Sequence, residues 1–296
     1  MKRILLLGGK GFIGRNLTEY IQRFPEEYAL TVPTHEELNL TDEEAVVRFL
    51  GKEYYDIVIH AAVCNPRRLS PGETYNELNS DLRMYFNFDN HSSMFGKMLY
   101  FGSGAEYDKS APICQVKETD DVNGIPKNDY GLAKFIIGRQ IEKSSNVYNM
   151  RIFGLYGKYE NWRTTFISGA CCKAIKHLPI TIRRNVFFDY LYIDDFCRII
   201  KHFIDNDPKY HTYNITSGKR VDLVSIAELV KKVSGENVPI YVCTEGLANE
   251  YTADNSRMLN EIGDFGFTDM ERAVASLLDY YRSIYQQINT MDLLYQ

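Results

Sequence analysis

Residues 3–14 read Arg3-Ile4-Leu5-Leu6-Leu7-Gly8-Gly9-Lys10-Gly11-Phe12-Ile13-Gly14. The apolar run up to Leu7 is unbroken, as expected of a strand buried on both faces of a parallel sheet. The glycines that close it satisfy G-x-G-x-x-G through Gly9, Gly11 and Gly14, and G-x-x-G-x-x-G through Gly8, Gly11 and Gly14. Glycine is needed here for three physical reasons, namely a tight turn, close approach of backbone to a pyrophosphate, and close packing of helix on strand. Behind them, Phe12, Ile13, Leu17, Tyr20, Ile21 and Phe24 recur at helical spacing. The free N–H groups at the start of such a helix favour a phosphate. Strand, glycine turn and helix together predict a dinucleotide site lined by Gly8, Gly9, Lys10, Gly11, Phe12, Ile13, Gly14 and Arg15.

Working outward, the pattern repeats. The helix is expected over 12–24 and a second strand over 28–32. Thr41 with Glu44 forms a capping-box signature for a helix running to about residue 50. Further strands are expected at 56–60 (DIVIH), 97–101 (KMLYF) and 147–152, with helices over 72–95 and 129–144. Strand and helix in strict alternation predict an α/β fold, a Rossmann-type doubly wound parallel sheet. Beyond residue 155 the pattern loosens, with helices expected near 164–176, 194–206, 222–234 and 269–288. The expected division is a dinucleotide-binding domain over 1–155 and a smaller α/β substrate-binding portion over 156–296, some of whose segments return to the sheet. Ligands of such sheets bind at the C-terminal ends of the strands.

Composition narrows the function classes. The chain has 296 residues, 45% hydrophobic and 25% charged, which is the profile of a folded globular protein. A net charge of −5 argues against nucleic acid as the main partner. No apolar stretch approaches the roughly 20 residues needed to span a bilayer. The apolar run at residues 4–7 is too short for a secretory signal core and leads into glycines rather than a cleavage site. The six cysteines form no C-x-x-C pair and no zinc-spaced cluster with histidine, so no metal is expected, and free thiols in a reducing cytoplasm are. Adjacent Cys171 and Cys172 are expected to pack in a core.

The chemistry is carried by Tyr130-Gly131-Leu132-Ala133-Lys134, which sets tyrosine and lysine on one helical face. Tyrosine is a poor base at neutral pH, and a neighbouring ammonium, helped by the cofactor's positive charge when oxidised, is expected to lower its pKa. The phenol can then exchange a proton with a substrate oxygen while a nicotinamide exchanges a hydride. Ser103, at the C-terminal end of the fourth strand, can hydrogen-bond the same oxygen. At the cofactor's 2′ position the second strand ends Leu30-Thr31-Val32-Pro33-Thr34-His35, with no acid before Glu36. Lys10, Arg15 and His35 therefore point to NADP(H) in preference to NAD(H), with NAD(H) left open.

Together GGKGFIG at 8–14, HAA at 60–62, FGSGAEY at 101–107, YGLAK at 130–134, MRIFGLYG at 150–157 and YLYIDD at 190–195 resemble the extended short-chain dehydrogenase/reductase family, of the NAD-dependent epimerase/dehydratase type. YNITSGKRVDLVSIAELV at 213–230 and DNSRMLNEIGDFGF at 254–267 extend the resemblance over nearly the whole chain. It implies action on a nucleotide sugar, with Ser103, Tyr130 and Lys134 as catalytic residues. It places His60, Ala61 and Ala62 along the cofactor, Asn79 in support of the active site, and a homodimer through the helices near 73–95 and 129–144. HEELNLTDEEAVVRFL at 35–50 looks most like GDP-fucose synthase and the 4-keto-sugar reductases, which use NADPH.

Two departures narrow the reaction. GDP-fucose synthase epimerises with a cysteine two residues after its serine and a distant histidine; here the first position is Ala105, and no histidine follows Gly157 before His177. The 4,6-dehydratases carry an acid pair where this chain has Gly104 and Ala105. Gly104 and Ala105 are expected to line the substrate. The family's diphosphate-binding arginine is missing from Phe188-Asp189-Tyr190, and Arg183 or Arg184 is expected to supply that charge. Asp194-Asp195 reads as a helix start rather than a metal site. What remains is NADPH-dependent reduction of a 4-keto-(6-deoxy) sugar nucleotide in deoxysugar or surface-polysaccharide synthesis. An NAD-dependent 4-epimerase is the alternative, and a non-catalytic dinucleotide-binding regulator a lesser one.

Overall fold

The computed structural model describes residues 1–64, 76–120 and 124–294. In chain order the elements are β1 (Lys2–Leu7), α1 (Phe12–Ile21), β2 (Tyr28–Thr31), α2 (Glu43–Leu50), β3 (Tyr55–His60), α3 (Glu77–Asp89), β4 (Phe95–Ser103), β5 (Ile113–Val116), α4 (Asp129–Ile141), β6 (Val147–Ile152), β7 (Gly154–Tyr156) and α5 (Phe166–Ile175). There follow β8 (Ile180–Asn185), β9 (Phe187–Tyr192), α6 (Ile193–Asp205), β10 (Thr212–Ile215), β11 (Arg220–Asp222), α7 (Leu223–Ser234), β12 (Ile240–Leu247), β13 (Tyr251–Ala253), α8 (Ser256–Ile262), α9 (Met270–Ser283) and α10 (Thr290–Leu294).

The chain forms two units. The first comprises Met1–Lys109, Glu118–Ile152 and Cys197–Ile215. Its sheet runs β10-β6-β4-β3-β1-β2, and every pairing is parallel. This is the Rossmann-type doubly wound sheet. The order reverses between β1 and β3, where Leu7 lies level with His60, so the glycine turn and the His60-Ala61-Ala62 stretch leave neighbouring strand ends together. Leu5, Val58, Met98 and Val147 from the strands pack with Val46, Tyr85, Phe88 and Ile137 from the helices. Each such fully buried aliphatic side chain contributes about 1.5–3 kcal/mol.

Several boundaries differ from expectation for local reasons. α1 stops at Ile21 because Phe24 precedes Pro25, which disfavours helix at the residue before it; Arg23 and Phe24 instead donate to the carbonyls three residues back. α2 is capped by Asp42, whose carboxylate accepts from Ala45 N at 3.0 Å. Thr41 is drawn off to Asn39 Oδ1 (2.8 Å) and Glu44 to Arg48 (3.2 Å), so the expected capping box does not form. The start of the helix expected from residue 72 lies outside the described residues. That helix ends at Asp89 rather than 95, because Asn90-His91-Ser92-Ser93 favour turns over helix. β4 is correspondingly longer, starting at Phe95 opposite Tyr55 and running to Ser103.

The second unit comprises Ser110–Lys117, Phe153–Phe196 and Thr216–Gln296. It holds a sheet ordered β11-β9-β13-β5, with β7 on β9, and a separate β8–β12 pair. Its core joins Tyr156, Trp162, Ile167, Cys171 and Cys172 to Ile226 and Val230 of α7 and Leu277 and Tyr281 of α9. The adjacent cysteines are packing residues. Segment 110–117, assigned to the first domain on the 1–155 boundary, belongs to this unit because β5 pairs with β13. The segment returning to the large sheet is Cys197–Ile215, which adds β10 beside β6.

Candidate active site

The glycine turn is built as its spacing predicts. Gly8 takes φ +82°, and a Cβ there would lie 2.7 Å from the backbone of Ala61 and Ala62. A Cβ on Gly14 would lie 2.3 Å from Gly8 O, so any side chain would push α1 off the turn. α1 starts at Phe12 with Gly11 at its N-cap, and no side chain caps it. Its first N–H groups are therefore donors held at the C-terminal edge of the sheet, which suits a pyrophosphate. Lys10, Arg15 and His35 are exposed around this turn. Glu36 is exposed as well. Its own backbone N–H, the Thr34 hydroxyl and the Lys10 charge hold its carboxyl below the ordinary range. The residues present fit a dinucleotide.

Ser103, Tyr130 and Lys134 all lie in the first unit. Ser103 ends β4 and is buried; its Oγ accepts from Ala105 N at 3.1 Å. Its hydroxyl also hydrogen-bonds the Tyr130 phenol. Tyr130 opens α4, which Asn128 caps by accepting from Gly131 N at 2.8 Å. Gly131 lets the helix seat close: a Cβ there would lie 2.8 Å from Ala105 O. Gly104 and Ala105 form a buried single turn beside Ser103 and present neither thiol nor carboxyl.

Lys134 is 1% exposed. Its Nζ donates to Tyr100 Oη and to Phe101 O, both at 2.8 Å, and sits 5.6 Å from the centre of the Tyr130 ring. Burial lowers its pKa to about 8, against the pull of Asp81, Glu106 and Glu77. The expected lowering of the Tyr130 phenol does not occur in the protein alone. Burial raises it, and the hydrogen bond from Ser103 only partly offsets that. The ammonium is turned toward Tyr100 and Phe101, leaving the phenol neutral and able to donate a proton.

Beneath the trio lies a buried polar layer. Tyr100 carries the His60 ring at 5.3 Å and the Tyr85 ring at 5.3 Å. His60 faces Met84 O through Nε2 (3.3 Å), and burial followed by the Lys134 charge brings its pKa down to about 4, so it is neutral. Asp81 of α3 is also buried and accepts from Cys64 N at 2.6 Å. Glu106 closes a capping box on Ser103, with its Oε1 accepting from Ser103 N (3.3 Å) and Asn149 Nδ2 (3.0 Å). Its Oε2 accepts from Arg151 Nε and Nη2, both at 2.8 Å. Gly102 and Gly138 make room for this carboxylate: a Cβ would lie 2.6 Å from Oε1 at the first and 2.7 Å from Oε2 at the second.

The remaining expected residues lie on other elements. Asn79 is exposed and accepts from Arg83 Nε (3.0 Å), one turn along α3; Asp81 is the buried acid of that helix. Arg183 and Arg184 are exposed on β8 of the second unit. Asp195 is a structural acid, accepting from Thr268 N and Oγ1 at 2.8 Å each. Among the described residues no cluster of three or more histidine, cysteine or acidic side chains is arranged for a metal, and no helix is long and apolar enough to cross a membrane. Asp81, Tyr100, Glu106, Asn149 and Arg151 were not singled out from the sequence. A signal was present for one of them, since Arg151 is a charge set between Met150 and Ile152-Phe153 on an expected buried strand.

The family model described as "NAD dependent epimerase/dehydratase family" matches residues 4–216. The chain is similar to ADP-L-glycero-D-manno-heptose-6-epimerase of Brachyspira hyodysenteriae, at 23% identity over 88% of this chain and 91% of that protein. It is similar to GDP-L-fucose synthase of Azorhizobium caulinodans, at 26% identity over 79% and 81%. Its fold matches a GDP-L-fucose synthetase from Naegleria fowleri solved with NADP bound, at TM-score 0.82 and 15% identity over 96% of this chain and 94% of that one. With the family match running from β1 through β10, across the glycine turn, Ser103, Tyr130 and Lys134, the chain belongs to the NAD dependent epimerase/dehydratase family and is an NAD(P)-dependent enzyme that modifies nucleotide sugars.

Proposed function

We propose that the protein reduces a 4-keto-(6-deoxy) sugar nucleotide with NADPH, in deoxysugar or surface-polysaccharide synthesis in the cytoplasm. The observation that carries this reading is the neutral Tyr130 phenol, hydrogen-bonded to Ser103 and kept protonated by burial. A neutral acid beside a strand-end hydroxyl suits delivery of a proton to a carbonyl oxygen. NADPH held at the glycine turn would supply the hydride for the carbonyl carbon and so be oxidised to NADP⁺. Ser103 holds the carbonyl oxygen, and Tyr130 Oη gives it the proton, so the ketone becomes the alcohol. Ala105 supports reduction without epimerisation, having neither thiol nor carboxyl to move a proton at a neighbouring carbon. The second unit is the substrate portion in this reading, with Arg183 and Arg184 as candidates for the diphosphate. Lys10, Arg15 and His35 around the glycine turn support NADPH over NADH.

One observation favours the second reading, an NAD-dependent 4-epimerase. Glu36 stands within electrostatic reach of Lys10 and is ionised, and an acid near the end of the second strand suits an unphosphorylated ribose. The two are separated by mixing the protein with NADPH or NADH and a panel of 4-keto-6-deoxy nucleotide sugars made in place by a dehydratase. Rapid loss of reduced-nicotinamide absorbance with NADPH is the expected result. Tightly retained NAD and interconversion of ordinary hexose nucleotides, with no net consumption of NADPH, would replace the reductase by the epimerase.

The protein is further proposed to act as a homodimer through α3 and α4, which pack side by side in the first unit. Sedimentation at micromolar concentration is expected to give a species of twice the 34.3 kDa chain mass; a monomer alone removes this proposal.

A further inference from the structure

Asp81 is 4% exposed, and only one of its carboxylate oxygens is accounted for, by Cys64 N at 2.6 Å. Its Oδ2 is buried with no hydrogen-bond partner among the described residues. Leaving a buried carboxylate oxygen unpaired is costly unless a positive charge lies close. The charge that acts on it is the Lys134 ammonium, which offsets part of the rise that burial gives the Asp81 carboxyl. One turn beyond Asp81 on α3, Tyr85 packs its ring on Tyr100 at 5.3 Å, and Lys134 Nζ stands 4.4 Å from the centre of that same Tyr100 ring. Helices α3 and α4 pack directly on one another. Of the carboxylates that act on Lys134, Asp81 acts more strongly than Glu106 or Glu77.

We infer that Asp81 is the positioning residue that keeps the Lys134 ammonium charged at the back of the active site, with Tyr100 Oη and Phe101 O fixing its direction. Lys134 spends one N–H on a neutral phenol and one on a backbone carbonyl, neither of which can balance a full charge. The groups around it are Asp81 and Glu77 from α3, Glu106 and Tyr100 from β4 and its turn, neutral His60 from β3, and Tyr130 from its own helix. Glu106 already has its oxygens committed to Ser103, Asn149 and Arg151. Among the described residues around Lys134, Asp81 is therefore the buried acid with an oxygen to spare.

This inference rests on the assignment of Lys134 to the redox step, and its test is read without any substrate. The protein is labelled with ¹³C at lysine Cε, and the Lys134 signal is identified by its loss in Lys134→Met. Lys134 is expected to titrate near pH 8 in the wild type. In Asp81→Asn, which keeps side-chain shape and an acceptor for Cys64 N, its titration should move down by about one unit or more, and Asp81→Glu should restore it. A folded Asp81→Asn with an unmoved Lys134 titration overturns the inference. The wild type carries an independent measurement should the variants fail to fold. With ¹³Cγ-labelled aspartate, Asp81 must be ionised at pH 7, where Lys134 is charged, and a neutral Asp81 there also overturns it. Once a ketone substrate is in hand, the pH at which reduction falls off should move with Lys134 in the same variants. A panel on which every sugar is inert would remove the reductase reading and leave the titration result standing.

Discussion

Tyr130→Phe should lower kcat for ketone reduction by about 10²–10⁴-fold, the usual worth of a positioned general acid, with dinucleotide affinity essentially unchanged. The phenyl ring fills the same space at the start of α4, so packing against Lys134 is kept. What is removed is the hydroxyl bonded to Ser103 and the proton it carries. Ser103→Ala should cost less, because it removes a hydrogen bond to the reacting oxygen and leaves the acid in place. The pH dependence has a defined sign. Burial holds the Tyr130 proton on above the ordinary tyrosine range, so the acid stays loaded through neutral and mildly alkaline pH. Lys134 is held low, at about 8, and loses its charge first. Reduction should therefore be flat through neutrality and decline above about pH 8. Stopped-flow decay of NADPH absorbance across pH 6–10 checks both points. A Tyr130→Phe enzyme that reduces at the wild-type rate would show that the proton comes from elsewhere and would remove Tyr130 from the chemistry.

Features whose physics is local could be read from the sequence. The three roles of the glycines at 8–14 are all played within one turn, and Gly14 meets Gly8 O because they are six residues apart at the mouth of one helix. Tyr130 and Lys134 share a face because helices repeat as they do, and Ser103 stands at a strand end that a single apolar run announces. Features whose physics is distant could not be read. Segment 110–117 joins the second unit because of a strand at 251–253. Asn79 and Asp81 are two residues apart on one helix, and which of them faces Lys134 depends on how α3 is rotated against α4. The pKa of Tyr130 followed the same rule: the spacing put Lys134 beside it, but Tyr100 and Phe101, from β4, took the ammonium's hydrogen bonds.

The ion pair between Glu106 and Arg151 is the deepest of these distant contacts, and breaking it should give the largest loss of stability in the first unit. The two side chains are 3% and 9% exposed and meet through two guanidinium nitrogens at 2.8 Å. Arg151 also donates to Tyr107 Oη at 2.8 Å. Arg151→Met keeps much of the volume and leaves Glu106 buried without its cation. Removing one partner of a buried pair costs about 3–5 kcal/mol, which at roughly 2–4 °C per kcal/mol is a fall in Tm of about 6–20 °C. Adding Glu106→Leu should recover part of that fall, because the stranded charge is then gone. It should not recover activity. Glu106 Oε1 is what ties the turn at Ser103, by accepting from its backbone N–H and from Asn149, and a leucine cannot hold that turn. Calorimetry and NADPH oxidation on the single and double variants therefore separate the two jobs of one carboxylate. Were the double variant to regain stability and turnover together, Glu106 would be only the counter-ion of Arg151, and Ser103 would be held in place by β4 and the start of α4 alone.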